Sequence, residues 1–285
     1  MRVPGLFAGV TISAFLLAGC TSDPEPSTSS GDLSALPAGG MIGLSDRAAV
    51  RDIAGEDADD PWKVAAGSVA GPLGSYERYL AEELEIDLSA ADRVLYGGEG
   101  PSTILVVLGG QDPDAVTAAA RDAGWSGDEV LSQQAGGDNG LTVPVTQLRV
   151  EDDRVIVGGI GSDLSRIGET AGDDETTRAL VDCLDDPLAA LVASPAETPH
   201  AVGVRDVDGE ARSTICLIGD EDDGDRVAEA VDGTMPSGRP YDELIADPEV
   251  ETVGDAVRVT VTNTADAMPA TIVQMMVRRE LPGLS

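Results

Sequence analysis

The fold is decided by residues 102–127, STILVVLGGQDPDAVTAAARDAGWSG, because residues 213–238, STICLIGDEDDGDRVAEAVDGTMPSG, repeat their pattern. Each stretch opens with Ser-Thr-Ile and an apolar run, which predicts a strand. An acidic residue then precedes a segment with apolar residues at helical spacing, which predicts a helix. Both stretches close with Ser-Gly. The recurrence predicts that the chain contains one structural unit twice.

The residues around each stretch extend the unit in the same order. In the first copy we predict strands at 92–98, 103–108, 141–150 and 154–157, and helices at 112–123 and 161–168. In the second copy we predict strands at 200–204, 211–218, 250–253 and 256–262, and helices at 222–231 and 266–281. Because short connections cannot form parallel crossovers, this order predicts an α+β fold of tandem duplicated ββαββα units, with antiparallel sheets and helices on one face. The sequence leaves open whether the units form separate lobes or share one sheet.

The first 40 residues differ in composition from the rest of the chain. Residues 1–20, MRVPGLFAGVTISAFLLAGC, combine one basic residue, a short apolar run and a final cysteine, which predicts a signal peptide over 1–19. Residues 21–40 are rich in Pro, Ser, Gly and acids, so a flexible acidic tether is predicted over 20–40. The first unit, with an N-terminal extension of helices at 61–70 and 76–84, then covers 41–168, and the second unit covers 169–285.

The ending LAGC at residues 17–20 resembles the bacterial lipobox, in which a peptidase cleaves before a cysteine that carries diacylglycerol. The run CLDDPL at 183–188, the later cysteine at 216 and the helix start DPDAV at 112–116 resemble uncharacterised lipoproteins of high-GC Gram-positive (actinobacterial) bacteria. The resemblance implies lipidation at Cys20 and a lipid-anchored protein on the extracytoplasmic face of the cell membrane. It implies no activity and no catalytic residues.

The chain has three cysteines, and lipidation of Cys20 leaves Cys183 and Cys216 to pair in an oxidising compartment. We therefore predict a disulfide that joins a helix to a strand. Two free buried thiols are the alternative. A zinc site is disfavoured, because only the distant His200 could supplement the two sulfurs.

The charge balance excludes one class of partner and favours another. Acidic residues number 52 and basic residues 18, which gives a net charge of −34. A general nucleic-acid binder is excluded, since phosphate contacts need basic patches. The acidity favours a basic face on any protein partner, unless it serves only solubility or salt tolerance. It also disfavours a second contact with anionic lipid beyond the N-terminal anchor.

The acidic clusters have two interpretations. Asp220, Asp222 and Asp225 are candidates for a weak Ca²⁺ site, although their spacing is not that of an EF-hand loop. Helix capping is the alternative, and we predict capping acids before a proline at residues 60, 112 and 186.

No motif for nucleophilic catalysis or phosphate binding is present, and the chain has one histidine and few aromatic residues. We therefore predict no catalytic residues, no metal and no cofactor, and a non-catalytic binding or scaffolding role in the cell envelope. Two alternatives stay open: an envelope hydrolase with a carboxylate site between the two units, and a protein that captures a small solute in the groove between them. Pocket geometry separates these, because converging carboxylates favour the hydrolase and an apolar cavity favours capture.

Overall fold

The computed structural model describes residues 30–133, 145–166, 168–194 and 196–284, and these residues form one antiparallel sheet of 11 strands. The order of the strands across the sheet is β10-β11-β9-β8-β7-β1-β2-β3-β6-β5-β4. We call β1 to β6 the first half and β7 to β11 the second half, so the pair β1 and β7 joins the halves. The strands are β1 (Met41–Asp46), β2 (Arg93–Glu99), β3 (Ser102–Leu108), β4 (Leu131–Ser132), β5 (Val145–Val150), β6 (Arg154–Gly159), β7 (Ala189–Ala193), β8 (His200–Val207), β9 (Glu210–Ile218), β10 (Ile245–Val253) and β11 (Ala256–Asn263).

Short helices lie before, between and after the strands. They begin and end within the described residues as follows: α1 (Ser30–Leu33), α2 (Arg47–Ile53), α3 (Pro61–Ser68), α4 (Gly71–Gly74), α5 (Glu77–Leu84), α6 (Pro113–Asp122), α7 (Glu175–Leu184), α8 (Glu221–Ala230) and α9 (Thr271–Arg278), with a 3-10 turn at Tyr241–Glu243. Within the part of the chain that the structure describes, no helix is both long and apolar enough to cross a membrane.

The strand register shows which residues share a face of the sheet, because directly paired residues project to the same side. Gly43 pairs with both Tyr96 and Leu191, and we call their side the upper face. Leu44 pairs with both Leu95 and Ala190, and we call the opposite side the lower face.

Helices cover both faces of the sheet. On the upper face, α5 and α6 pack on the first half, and α8 and α9 pack on the second half. On the lower face, α7 packs through a stripe of Leu180, Val181, Cys183 and Leu184, beside the buried leucines of the α1 region. The apolar alternation of each strand therefore supplies two cores, one on each side of a single sheet.

The prediction of two tandem ββαββα units with helices on one face is wrong. The structure has one continuous sheet, and β1 and β7, which the sequence analysis missed, pair with each other at its centre. The helix predicted at 161–168 is also absent, since the described residues 161–166 form turns. In its place α7 follows β6 and crosses to the lower face.

Both missed strands have weak local patterns. The sequence of β1 is MIGLSD, in which glycine and serine interrupt the apolar alternation. The sequence of β7 is AALVA, which has little β-branched character and follows a proline. Their strand conformation comes from pairing on both edges, with β2 and β7 for β1 and with β1 and β8 for β7. Such pairing is a tertiary effect that local propensity does not contain.

The predicted tether over 20–40 extends too far along the chain. Ser30–Leu33 is already helical, and Leu33 and Leu36 are fully buried under the lower face. Arg93 of β2 also forms an ion pair with Asp32, with Nη1 and Oδ2 2.5 Å apart. The start of the folded body therefore lies about ten residues earlier than predicted. Cys20 and the predicted signal peptide lie outside the described residues.

Two of the three predicted Asp-Pro caps are confirmed. Asp60 accepts a hydrogen bond from the amide of Trp62 at the start of α3, and Asp112 accepts from the amides of Asp114 and Ala115 at the start of α6. The third prediction, at residue 186, is wrong, because the residues that follow Pro187 enter β7.

The predicted disulfide is present. Cys183 at the end of α7 and Cys216 in the middle of β9 are bonded, with their Cα atoms 6.1 Å apart. Both residues are completely buried in the lower core. The bond fixes α7 to the second half of the sheet.

Candidate functional site

A cleft of about 520 Å³ opens on the upper face, at the end of the sheet where β1 begins. It lies over the seam between the two halves. The first half contributes residues from β1, from the end of β2 and from the α3 and α4 region, and the second half contributes residues from β7, the residue at 196 and α9. The lining residues are Gly40, Met41, Ser68, Gly71, Pro72, Tyr96, Gly98, Glu99, Gly100, Leu191, Ala193, Ala196 and Val277.

Two glycines allow the backbone to come close together at this end of the sheet. Gly40 and Gly71 have positive φ angles of +77° and +62°, which L side chains rarely adopt. A Cβ at Gly40 would lie 2.5 Å from the carbonyl oxygen of Gly98, with which Gly40 forms an isolated bridge. A Cβ at Gly71 would lie 2.4 Å from the ring of Tyr96. These glycines thus set the distance between the first residues of α4 and the floor of the cleft.

Tyr96 forms part of that floor. Its ring packs in the upper core of the first half, directly under Gly71, and the residue is only 7% exposed. Burial raises the pKa of the Tyr96 hydroxyl, so the group stays neutral at physiological pH. No hydrogen bond joins this hydroxyl to another residue in the described ranges. A buried phenol of this kind offers one donor and two lone pairs to a bound molecule.

The walls and mouth of the cleft are apolar. Leu191 and Ala193 of β7 form one wall, and Pro72 lies opposite. At the mouth, Met41 is 37% exposed and Val277 of α9 is 61% exposed, which places both among the large apolar residues that the described structure leaves in contact with solvent. Apolar side chains that project at the rim of a concave surface are typical of ligand-binding grooves.

Charge is scarce within the cleft. Glu99, an exposed residue at the end of β2, is the one charged residue among those that line it. No arginine, lysine or histidine belongs to the lining in the described residues, and Arg278, next to Val277, lines a separate cavity beside α9. A carboxylate-dependent hydrolase needs two carboxyl groups that face the same bond, and the described lining residues include one carboxylic acid, Glu99.

The calcium candidates are not brought together around a metal position. Asp220 is the N-cap of α8, where it accepts a hydrogen bond from the amide of Asp223 in a capping box. The pKa of Asp223 is lowered, chiefly by its hydrogen bond with Arg226. Asp222 and Asp225 lie farther along the same helix. In the ranges that the structure describes, no three metal-ligating side chains are grouped closely enough to hold an ion.

Local sequence patterns did not identify the residues of the cleft. The predicted strand at 92–98 contains Tyr96 as an ordinary member and ends before Glu99, and Met41 belongs to a strand that was not predicted. One signal was available, because the run GGEG at 97–100 places three glycines at a strand end, which is typical of close backbone approach. Nothing local indicates that Val277 would reach the same place, since its position depends on how α9 returns to the sheet.

Comparisons with protein-family models, with curated proteins and with solved structures give no match. The chemistry of the cleft is therefore the evidence from which a function has to be inferred.

Proposed function

We propose that this chain is a non-catalytic lipoprotein, held on the extracytoplasmic face of the cell membrane by lipid at Cys20, that captures a small molecule with an apolar body in the cleft between the two halves of its sheet. The observation that carries the proposal is the lining of the cleft, where Met41, Leu191, Ala193 and Val277 surround a concave space with one charged residue at its edge. Scaffolding alone gives no reason for that concave apolar surface.

The dimensions of the cleft suit a small ligand. Its volume of about 520 Å³ lies within the range of roughly 300–1,000 Å³ that is usual for small-molecule sites. Apolar surface that a ligand buries contributes about 25 cal/mol per Å², so an aliphatic or alicyclic body gains affinity from these walls. The free Tyr96 hydroxyl and the carboxylate of Glu99 supply the few polar contacts that would orient it.

The hydrolase alternative receives less support. Glu99 has no carboxylate partner within the lining, and the capping acids of α6 and α8 lie outside it. A general acid and a second carboxylate on opposite sides of one bond are therefore missing from this cleft.

The binding test uses the full chain and an environment-sensitive naphthylamine dye whose fluorescence rises in apolar sites. We expect saturable binding, and we expect Val277→Asn to weaken it about three- to tenfold, because a polar group replaces an apolar contact at the mouth. Val64→Asn is the matched control, since Val64 is also a partly exposed valine on a helix and does not line the cleft. Equal effects of the two variants, or no saturable binding, would overturn the capture function.

The membrane anchor has its own test. Replacing Cys20 with Ser should leave the signal peptide uncleaved by the lipoprotein peptidase and should remove the diacylglycerol mass. A Cys20→Ser protein that is processed and membrane-held like the parent would show that the LAGC motif is not the anchor. The result is independent of the dye experiment, because Cys20 lies outside the described cleft.

A further inference from the structure

We infer that the ligand captured in the cleft is a cation with an aliphatic body, such as a protonated alkylamine. This inference rests on the proposed capture function and deepens it, because it names the charge of the ligand. It is carried by three features of the cleft: its apolar walls, the charged group at its edge and the polar group on its floor.

The charged residues of the lining determine which sign of charge the cleft tolerates in a ligand. Among the described residues that line the cleft, Glu99 is the one charged residue, and none of them has a basic side chain with which to hold a carboxylate or phosphate. An anionic head group would therefore be desolvated beside a carboxylate, which costs binding energy, whereas an ammonium group would be attracted. The net charge of −34 on the chain acts in the same direction through its long-range field.

The lining also contains residues that can accept hydrogen bonds from an ammonium group. An ammonium group has three donors and no acceptor, so it needs oxygen atoms around it. Tyr96, Gly98, Glu99 and Gly100 all belong to the lining, and these residues carry a phenol, a carboxylate and backbone carbonyls that can accept such hydrogen bonds. The Tyr96 hydroxyl, which has no hydrogen bond to another described residue, is available as an acceptor in its neutral form.

The apolar walls of the cleft favour a ligand with an aliphatic body. Leu191, Ala193, Pro72 and the exposed Val277 give the aliphatic body an apolar surface on both sides of the seam. A small hydrophilic cation would leave these surfaces in water and would gain nothing from them. The cleft therefore distinguishes a cation with a chain from a cation alone, which a merely acidic surface does not do.

The experiment compares four competitors of the dye on the full chain at pH 7: octylammonium, octanol, octanoate and methylammonium. The three octyl probes share one chain length and differ in charge, and methylammonium has the charge without the chain. We expect octylammonium to compete best, roughly five- to tenfold better than octanol, with octanoate weaker than octanol and methylammonium ineffective.

Variants connect the preference to the site. Glu99→Gln should make octylammonium and octanol compete about equally, while Glu56→Gln, which removes a charge from an exposed residue outside the lining, should preserve the preference. Equal competition by octanol and octylammonium in the parent chain, or stronger competition by octanoate, would overturn the inference and leave capture itself intact. Effective competition by methylammonium would also overturn it, because surface charge would then explain the binding. Failure of the dye to bind would instead remove the proposed function.

Discussion

The two halves of the sheet differ most in the connection that follows their first strand. In the first half, β1 reaches β2 through residues 47–92, which hold α2, α3, α4 and α5, whereas in the second half β7 reaches β8 through residues 194–199 alone. The cleft lies where this difference is greatest, with the α3 and α4 region on one side of the seam and the half-buried end of β7 on the other. The cleft has thus formed where one half carries extra helices and the other has only a short connection.

A second difference concerns the helices that follow the last strand of each half. Helix α7 follows β6 and packs on the lower face, under the strands of the second half, whereas α9 follows β11 and packs on the upper face. Because α7 comes from the first half and covers the second, it connects the halves independently of the β1–β7 pair. Helix α9 keeps to the second half and reaches the seam with Val277.

Removing the disulfide, which attaches α7 to the second half, should cause the largest loss of stability. The bond is a covalent attachment of α7 to the second half, and the segment 41–168 contains no cysteine. Closing a loop with a sequence separation of 33 stabilises the folded state by about 3–4 kcal/mol in the chain-entropy model. We expect the Cys183→Ala/Cys216→Ala double variant to lose that much free energy of unfolding, measured by urea denaturation with tryptophan fluorescence.

A reductant provides the control for this measurement. Dithiothreitol should destabilise the parent chain by a similar amount and should leave the double variant unchanged. If the double variant loses less than about 1 kcal/mol, the attachment of α7 depends on its apolar stripe rather than on the bond.

The elements that the sequence predicted well are those with strong local patterns. The apolar run of β9 lies within a few consecutive residues, and so do the capping acid and proline of α6. In each case the local pattern is enough to indicate the type of element. The prediction that the helices lie on one face was wrong for the opposite reason, and α7 is the helix that packs on the other face. Its amphipathic stripe shows that one side is buried but contains nothing about which side of the sheet receives it.

The cleft could not be predicted for a related reason. Its residues come from β1, α4, β2, β7 and α9, which are separated by long stretches of chain. Each residue has an ordinary local role, and Tyr96 for example is a core residue of β2. The site exists because β1 and β7 pair, and neither strand has a pattern strong enough to be recognised alone.

Adding a methyl group at Gly71 should produce the next largest effect. The residue belongs to the helical connection that only the first half has, its φ is +62°, and a Cβ there would lie 2.4 Å from the Tyr96 ring. We expect Gly71→Ala to lower the free energy of unfolding by about 1–3 kcal/mol and to weaken dye binding by displacing Tyr96.

Gly67→Ala is the matched control in the same connection. Gly67 lies in α3, has no positive φ, and a Cβ there would meet nothing within 4 Å. This substitution should stabilise the chain by about 0.5–1 kcal/mol, since alanine is the better helix former. Equal signs for the two variants would show that the close approach of Gly71 and Tyr96 does not determine the geometry of the cleft.

The smallest effect, and the one that depends on pH, should come from the polar contact that begins α7. Asp174 is the N-cap of α7, and its Oδ2 accepts hydrogen bonds from the Thr177 amide and hydroxyl and, at 2.5 Å, from the hydroxyl of Ser194 just after β7. The N-cap residue of α9 is Ala270, which makes no side-chain cap hydrogen bond, so this contact distinguishes the two helices. Partial burial raises the pKa of Asp174, but the hydrogen bonds from Ser194 and Thr177 lower it more, and the net shift is downward.

The direction of that shift determines the pH dependence of stability. A carboxyl group whose pKa is lower in the folded state than in the unfolded chain stabilises the fold above its unfolded pKa, and the contribution is lost as the pH falls through the folded pKa. We therefore expect Asp174→Ala to cost about 1 kcal/mol at pH 7, the usual value of an N-cap, and to cost progressively less below about pH 4. Asp174→Asn keeps a good cap without the charge, so it should cost less than Asp174→Ala at pH 7 and lack most of the pH dependence.

Asp152→Ala, at an exposed position in the β5–β6 turn, controls for the general loss of one negative charge. A cost of Asp174→Ala that stays constant from pH 7 to pH 3 would mean that the charge of Asp174 contributes nothing. In that case Asp174 would cap α7 through hydrogen bonds that do not require the ionised carboxylate.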